Sequence, residues 1–133
     1  MILRGRGLVE GVVEGEAVVT RKPISFVGGV DINTGVVIEK GHELEGKSIK
    51  DKVLVFPLGK GTTYNPFAIY AMKKRGSAPI AIVNEKVEDI VLTGCIIAEI
   101  PFVECKEAMK IKSGDFLRVD GGKGIIEILR RRD

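Results

Sequence analysis

Two unbroken apolar runs near the middle of the chain predict buried strands. They occupy residues 52–56 and 79–83, and runs of this length without polar alternation are typical of strands covered on both faces. Between them, Asn65 and Pro66 suit the start of a helix, and Gly76 suits its end. The order of strand, helix and strand predicts one βαβ unit with parallel strands.

The pattern continues with a shorter helix and a third strand. The helix is predicted over residues 87–92 and closed by Gly94, and the apolar residues 96–100 that follow predict a strand. These two elements extend the parallel layer by one strand.

Towards the chain ends, glycines separate short β-rich runs. Residues 8–9 and 16–20 suggest one hairpin, and residues 116–119 and 125–128 suggest another around a glycine-rich turn. The whole pattern predicts a mixed α/β fold, in which a β-rich layer from both termini packs beside a small parallel βαβ unit. No linker or repeat interrupts residues 1–133, so we expect a single domain.

Composition narrows the classes of partner. The chain has 133 residues, of which 44% are hydrophobic and 29% charged, and its net charge is +3. No apolar run reaches the roughly 18 residues of a membrane span, and the N-terminus lacks the apolar stretch of a signal peptide. We therefore expect a cytoplasmic protein with no membrane partner. Aromatic residues make up 5% and Trp is absent, which argues against nucleic acid as a partner.

The cysteines do not predict a metal site. Cys95 and Cys105 form no CxxC pair, and the single His42 is far from both and is expected at the surface. A zinc or iron–sulfur site needs about three or four ligands. We expect no metal or other cofactor on this chain, and we expect both cysteines to be buried apolar residues rather than reactive thiols.

The strongest candidate for a ligand site is a glycine-rich loop. Gly59, Lys60, Gly61, Thr62 and Thr63 follow a predicted buried strand and precede a predicted helix. Ligands of α/β units collect in that crevice, and free N–H groups at a helix start favour anions. The spacing does not match a Walker P-loop. A plain glycine turn that leads into a helix is the alternative interpretation.

Two further segments are candidates for the same site. Asn84 and Glu85 begin a polar turn where the second strand ends, and adjacent parallel strands would place this turn beside the glycine-rich loop. Ser25 opens the unusual polar-aromatic-glycine string of residues 25–31. Polar or tight turns without a ligand remain open as alternatives for both. The sequence shows no nucleophile beside a His–acid pair and no dinucleotide fingerprint, so the chain looks like part of a larger active site.

Four ordered strings at these positions resemble the small subunit of aconitase X proteins. They are residues 24–31 (ISFVGGVD), 46–49 (GKSI), 55–62 (VFPLGKGT) and 81–86 (AIVNEK). The resemblance covers nearly the whole chain and implies the swivelling β/β/α domain of the aconitase superfamily. It also implies a heterodimer with a large catalytic subunit that carries an iron–sulfur cluster.

The resemblance further implies an activity and roles for single residues. The expected reaction is the removal of water from the small anionic substrate (R)-5-phosphomevalonate, giving trans-anhydromevalonate 5-phosphate in an archaeal mevalonate pathway. The small subunit is expected to supply a hydroxyl group as the proton acceptor. Thr62 holds the position where family members usually have Ser, and Thr63 is the second candidate. The residues expected to bind substrate are Gly59, Lys60, Gly61, Ser25, Asn84 and Glu85.

Two alternative functions remain open. Within the family, the substrate could be another hydroxy acid such as a hydroxyproline. Outside it, the chain could be a stand-alone module that holds a phosphorylated metabolite at residues 59–63.

Overall fold

The structure is a computed structural model that describes residues 1–58 and 66–132. The described elements are eight strands, two α-helices and one short 3-10 helix. The strands are β1 (Ile2–Arg4), β2 (Arg6–Val9), β3 (Val12–Val19), β4 (Val53–Phe56), β5 (Ala81–Asn84), β6 (Phe102–Glu104), β7 (Phe116–Asp120) and β8 (Ile125–Arg130). The helices are α1 (Phe67–Arg75), α2 (Asp89–Ala98) and the 3-10 helix Ala108–Lys110.

The strands form one sheet, and its two outermost strands, β1 and β2, follow each other in the chain. The order is β1-β8-β7-β3-β4-β5-β6-β2, and β1 and β2 are separated only by Gly5. Gly5 donates a backbone hydrogen bond of 2.7 Å to Gly124 O on the β8 side. A Cβ at Gly5 would lie 2.1 Å from the carbonyl oxygen of Glu104, at the end of β6. Close backbone packing at this glycine therefore brings the two ends of the sheet together.

Alternation along the central strands divides the interior into two cores. Leu54, Phe56, Ile82 and Phe102 point to the side where α1 and α2 pack. Their neighbours point to the opposite side, into a core shared with β1, β3, β7 and β8; these neighbours are Val53, Val55, Ala81, Val83 and Val103. Because both faces of β4 and β5 are covered, these strands carry no polar alternation.

The predicted mixed α/β architecture is confirmed. β4 pairs in parallel with β5, and α1 connects them, as the βαβ pattern predicts. α1 ends at Gly76, which adopts the left-handed conformation with φ 75°. The C-terminal hairpin of β7 and β8 is also confirmed.

The predicted N-terminal hairpin is wrong. β2 pairs with β6, whereas β3 pairs with β7 on one side and with β4 on the other. The two neighbouring segments thus bury themselves against different partners. Sequence proximity favours a hairpin only when no better long-range partner is available.

The predicted helix end at Gly94 and the strand over residues 96–100 are also wrong. α2 continues to Ala98, with Glu99 in the left-handed cap position, and the strand begins at Phe102. Gly94 lies inside α2 at a point where α1 and α2 pack closely. A Cβ at Gly94 would come within 2.9 Å of Pro66 O at the start of α1. A short apolar run fits a buried helix as well as a buried strand.

The cysteines are buried as predicted, but His42 is not at the surface. Cys95 and Cys105 are fully buried and unpaired, and burial raises the pKa of both thiols. His42 is only 6% exposed. Its Nε2 lies 3.1 Å from Pro23 O, and its Nδ1 accepts a 3.0 Å hydrogen bond from Leu44 N. These contacts hold the imidazole ring inside the loop between β3 and β4.

Two adjacent glycines allow a test of the close packing around the sheet closure. A Cβ at Gly121 would lie 1.9 Å from Val9 O, whereas the nearest atom to a Cβ at Gly122 would be 3.5 Å away. We expect Gly121→Ala to reduce the free energy of unfolding by about 1–3 kcal/mol through overpacking. Gly122→Ala should change it by less than about 0.5 kcal/mol. Urea unfolding measures both, and equal stability of the two variants would contradict the packing argument.

Candidate functional site

The predicted ligand edge lies where three parallel strands end side by side. In register, Phe56 at the end of β4 is paired with Asn84 at the end of β5, and Asn84 is paired with Glu104 at the end of β6. The crevice beyond such carboxyl ends is the usual ligand position in α/β sheets. Asn84 and Glu104 therefore lie next to each other at one edge of the sheet.

Five of the predicted site residues lie outside the described part of the chain: Gly59, Lys60, Gly61, Thr62 and Thr63. With Tyr64 and Asn65, the residue predicted to start the helix, they join Leu58, just after β4, to Pro66, at the N-cap of α1; Tyr64 and Asn65 also lie outside the described residues. Among the described residues, no side chain caps this helix end. The N–H groups of its first turn favour a negative charge nearby.

The turn after β5 is bound to the end of β4 by backbone hydrogen bonds. Glu85 N donates to Phe56 O at 3.3 Å, and Lys86 N donates to Pro57 O at 3.0 Å. The turn therefore lies beside the end of β4, whereas the glycine-rich loop beside which it was predicted lies outside the described residues. The side chains of Glu85 and Lys86 are exposed at this edge.

Asn84 is oriented by the same carbonyl group. Its Nδ2 donates to Phe56 O at 3.1 Å and lies 3.4 Å from Val83 O. Because carbonyl oxygens only accept, these partners fix which end of the amide is the nitrogen. Asn84 is fully buried, and within residues 1–58 and 66–132 its Oδ1 has no hydrogen-bond partner. An unsatisfied buried polar atom costs about 1–3 kcal/mol, so this amide calls for an explanation.

Ser25 is next to Phe26, which contacts Phe56 at the end of β4. Its hydroxyl donates to Val27 O at 2.8 Å, which tightens the turn. Phe26 packs edge-on against Phe56, with ring centroids 6.2 Å apart. The segment that contains Ser25 and the turn that contains Asn84 thus both contact Phe56, the third residue before Gly59.

The loop that carries Ser25 is held at its base by Glu43. Its carboxylate accepts hydrogen bonds from the hydroxyl of Thr20 and from Arg21 N, the latter at 2.6 Å. These bonds, with the Thr20 hydroxyl as the larger cause, lower the pKa of Glu43 below its ordinary value. Together with the buried His42, Glu43 fixes the start of the loop.

Sequence reasoning missed Glu104, the polar residue at the end of β6. One carboxylate oxygen accepts a 2.7 Å hydrogen bond from Val87 N, and the other lies 3.0 Å from Arg6 Nη2. Glu104 thereby holds the turn after β5 from the side opposite β4. The position of Glu104 at the end of a strand could have pointed to it. The sequence pattern, however, predicts that strand at residues 96–100 instead of Phe102–Glu104.

The described residues do not fit a metal cluster of their own. In residues 1–58 and 66–132, no group of three or more His, Cys, Asp or Glu side chains could hold a metal ion. Cys95 and Cys105 lie in different cores. In the same part of the chain, no helix is both long and apolar enough to cross a membrane.

These features define a class: a small α/β domain that gathers polar turns at one edge of its sheet. The family model of the aconitase X swivel domain matches residues 2–128. The chain belongs to this family, as the four strings of its sequence indicate.

Curated relatives and a solved structure are similar to this chain over nearly its whole length. The chain is 50% identical to a protein of Pyrococcus furiosus named phosphomevalonate dehydratase small subunit, over 100% of this chain and 99% of the relative. A Methanosarcina acetivorans protein of the same name is 49% identical, over 96% and 91%. The crystal structure of Thermococcus kodakaraensis aconitase X (holo-form) superposes with a TM-score of 0.93 at 47% identity, covering 98% and 99%.

The contacts of Glu104 with Val87 and with Arg6 can be tested separately. Glu104→Ala should lower the free energy of unfolding by about 1–3 kcal/mol, because Val87 N loses its acceptor. Glu104→Gln keeps an acceptor and should lose less. Arg6 is largely exposed, so Arg6→Met, which removes only the ion pair, should cost at most about 1 kcal/mol. Urea unfolding of the three variants provides the measurement, and an Arg6→Met loss as large as that of Glu104→Ala would contradict this assignment.

Proposed function

We propose that this chain is the small subunit of a two-subunit hydro-lyase that dehydrates (R)-5-phosphomevalonate to trans-anhydromevalonate 5-phosphate. The observation that carries the proposal is the end-to-end similarity to phosphomevalonate dehydratase small subunits, at 50% and 49% identity. The relatives are matched over nearly their whole length, so the similarity includes the strand ends and turns that form the site.

A large subunit is the partner that this role requires. An apolar cleft of about 430 Å³ lies beside the site, between the loop after Ser25 and the start of α1. Val27 and Phe67 line it and are more than half exposed. Such a surface supports contact with another protein. We place the iron–sulfur cluster, which supplies Lewis acidity towards the departing hydroxyl group, on the large subunit, because the described side chains of this chain do not fit one.

The proposed contribution of this chain is the proton acceptor. In the dehydration, the carbon next to the carboxylate loses a proton and the neighbouring carbon loses hydroxide, so water leaves and a double bond forms. We assign the proton to the hydroxyl oxygen of Thr62, with Thr63 as the second candidate. A threonine hydroxyl is a very weak base in water, so its ionised form must be stabilised by nearby donors once water is excluded.

We assign three groups that favour anions to binding of the substrate. Lys60 belongs to the connection between β4 and α1, the helix start is favourable to anions, and the exposed Lys86 lies in the adjoining turn. We assign Gly59 and Gly61 to close backbone approach, and Ser25 and Glu85 to the rim of the site.

The first experiment tests the partnership. Purified alone, the chain should show no turnover; co-expressed with its large subunit, the complex should dehydrate phosphomevalonate in an anaerobic assay. Stable interfaces commonly bury about 1,200–2,000 Å² in total, so the two chains should co-purify. Turnover by the chain alone would contradict the proposal, as would a complex that dehydrates only another hydroxy acid such as a hydroxyproline.

The second experiment separates the two threonines. Thr62→Val preserves the shape and removes the oxygen, and it should slow turnover of the assembled complex at least about 100-fold, since general base catalysis contributes roughly 10²–10⁴-fold. Thr62→Ser should remain active. Thr63→Val is the matched control with the same chemical change one position away. If that variant alone is inactive, the acceptor is Thr63; if both are active, the acceptor lies on the large subunit.

A further inference from the structure

We propose that Asn84 is a positioning residue that fixes the end of β4, and with it the start of the connection to Thr62, rather than a contact to substrate. This inference rests on the proposed function, because it concerns the placement of the proposed proton acceptor. It starts from the hydrogen bonds around Phe56.

The last carbonyl groups of β4 and its exit are all tied to one turn. Phe56 O accepts from Asn84 Nδ2 at 3.1 Å and from Glu85 N at 3.3 Å, and Pro57 O accepts from Lys86 N at 3.0 Å. Asn84 supplies the side-chain bond of the three. Two backbone donors and one amide thus set the direction in which the chain leaves β4.

Burial argues against direct binding of substrate. Asn84 is 0% exposed, and its Nδ2 is committed to backbone carbonyls. Only Oδ1 remains, and it can only accept a hydrogen bond, so it cannot bind the phosphate or carboxylate groups of an anionic substrate. Among the described residues this oxygen has no partner, as expected of an amide that is retained for its nitrogen.

The link to function is geometric. Thr62 follows Pro57 by five positions, so a change in the exit direction of β4 displaces the start of the segment that holds it. A misplacement of about 1 Å in a catalytic group can cost roughly 100-fold in rate. The effect should fall on turnover and spare substrate binding.

Two substitutions of similar shape distinguish the atoms of the amide. In the assembled complex, Asn84→Leu removes both polar atoms, and Asn84→Asp replaces the donor with a carboxylate oxygen. We expect kcat to fall at least about tenfold in both at neutral pH, with KM within about twofold of wild type, as expected for lost positioning of a catalytic group. If Asn84→Leu instead raises KM at normal kcat, or if neither variant changes either constant, the proposal is overturned.

A pH profile provides a readout that general destabilisation does not mimic. Burial raises the pKa of the introduced carboxyl group, and its protonated form can donate to Phe56 O as the amide does. The nearest titratable groups in sequence and register are Glu85, Lys86 and Glu104, while β4 carries none. The kcat of Asn84→Asp relative to wild type should therefore rise as the pH falls from about 8 to about 6. A flat ratio that matches Asn84→Leu would overturn the role of the nitrogen.

Hydrogen exchange separates this inference from the proposed function. In the chain by itself, Asn84→Leu, or Asn84→Asp at high pH if the former does not fold, should speed exchange of the Glu85 and Lys86 amides at least about tenfold through local opening. Val119→Ala, which truncates a buried side chain on β7, two strands away from β4 in the sheet, is the control that lowers stability without changing kcat. Unchanged exchange of these two amides would refute the positioning role of Asn84 even if the complex is a dehydratase. Faster exchange in a chain whose complex does not act on phosphomevalonate would refute only the proposed function.

Discussion

The sheet depends on backbone contacts that leave no room for a side chain. One short N-terminal stretch pairs with β8 through β1 and with β6 through β2, and the residue between them, Gly5, lies against the carbonyl of Glu104. Because that carbonyl belongs to the last residue of β6, the contact also fixes one end of the candidate site. The closure and the site therefore share a residue, since the side chain of Glu104 holds Val87 while its backbone faces Gly5.

The parallel pairing of β4, β5 and β6 places the candidate site at one edge of the sheet. Three strands end in register at Phe56, Asn84 and Glu104, so the segments that follow them must lie next to one another. The resulting edge combines fixed backbone carbonyls, an uncapped helix start and exposed charges. In residues 1–58 and 66–132, this edge offers groups for recognition and positioning.

The candidate site was predictable in position but not in the roles of its residues. Strand ends followed by polar residues located Asn84 and Glu85 correctly at the edge. The burial of Asn84 and its bond to Phe56 could not be predicted, because they depend on the register between two strands that are 28 positions apart in sequence at this contact. Glu104 was missed because its strand was predicted at residues 96–100 instead of Phe102–Glu104, and because its partners Val87 and Arg6 belong to other segments of the chain. The burial of His42 likewise depends on the fold, since its ring lies against the carbonyl of Pro23, 19 positions away.

Local patterns determined the elements whose stability is decided within a few residues. The buried runs at β4 and β5, the helix α1 with its closing Gly76, and the β7–β8 hairpin with its glycine-rich turn all follow from side-chain spacing and turn chemistry. Tertiary structure decided the rest. Residues 96–98 are helical because α2 packs on α1 at Gly94, and residues 6–9 join β6 because that pairing closes the sheet. The physical reason is that an apolar run specifies burial, whereas the surface available to bury it selects between helix and strand and chooses its partner.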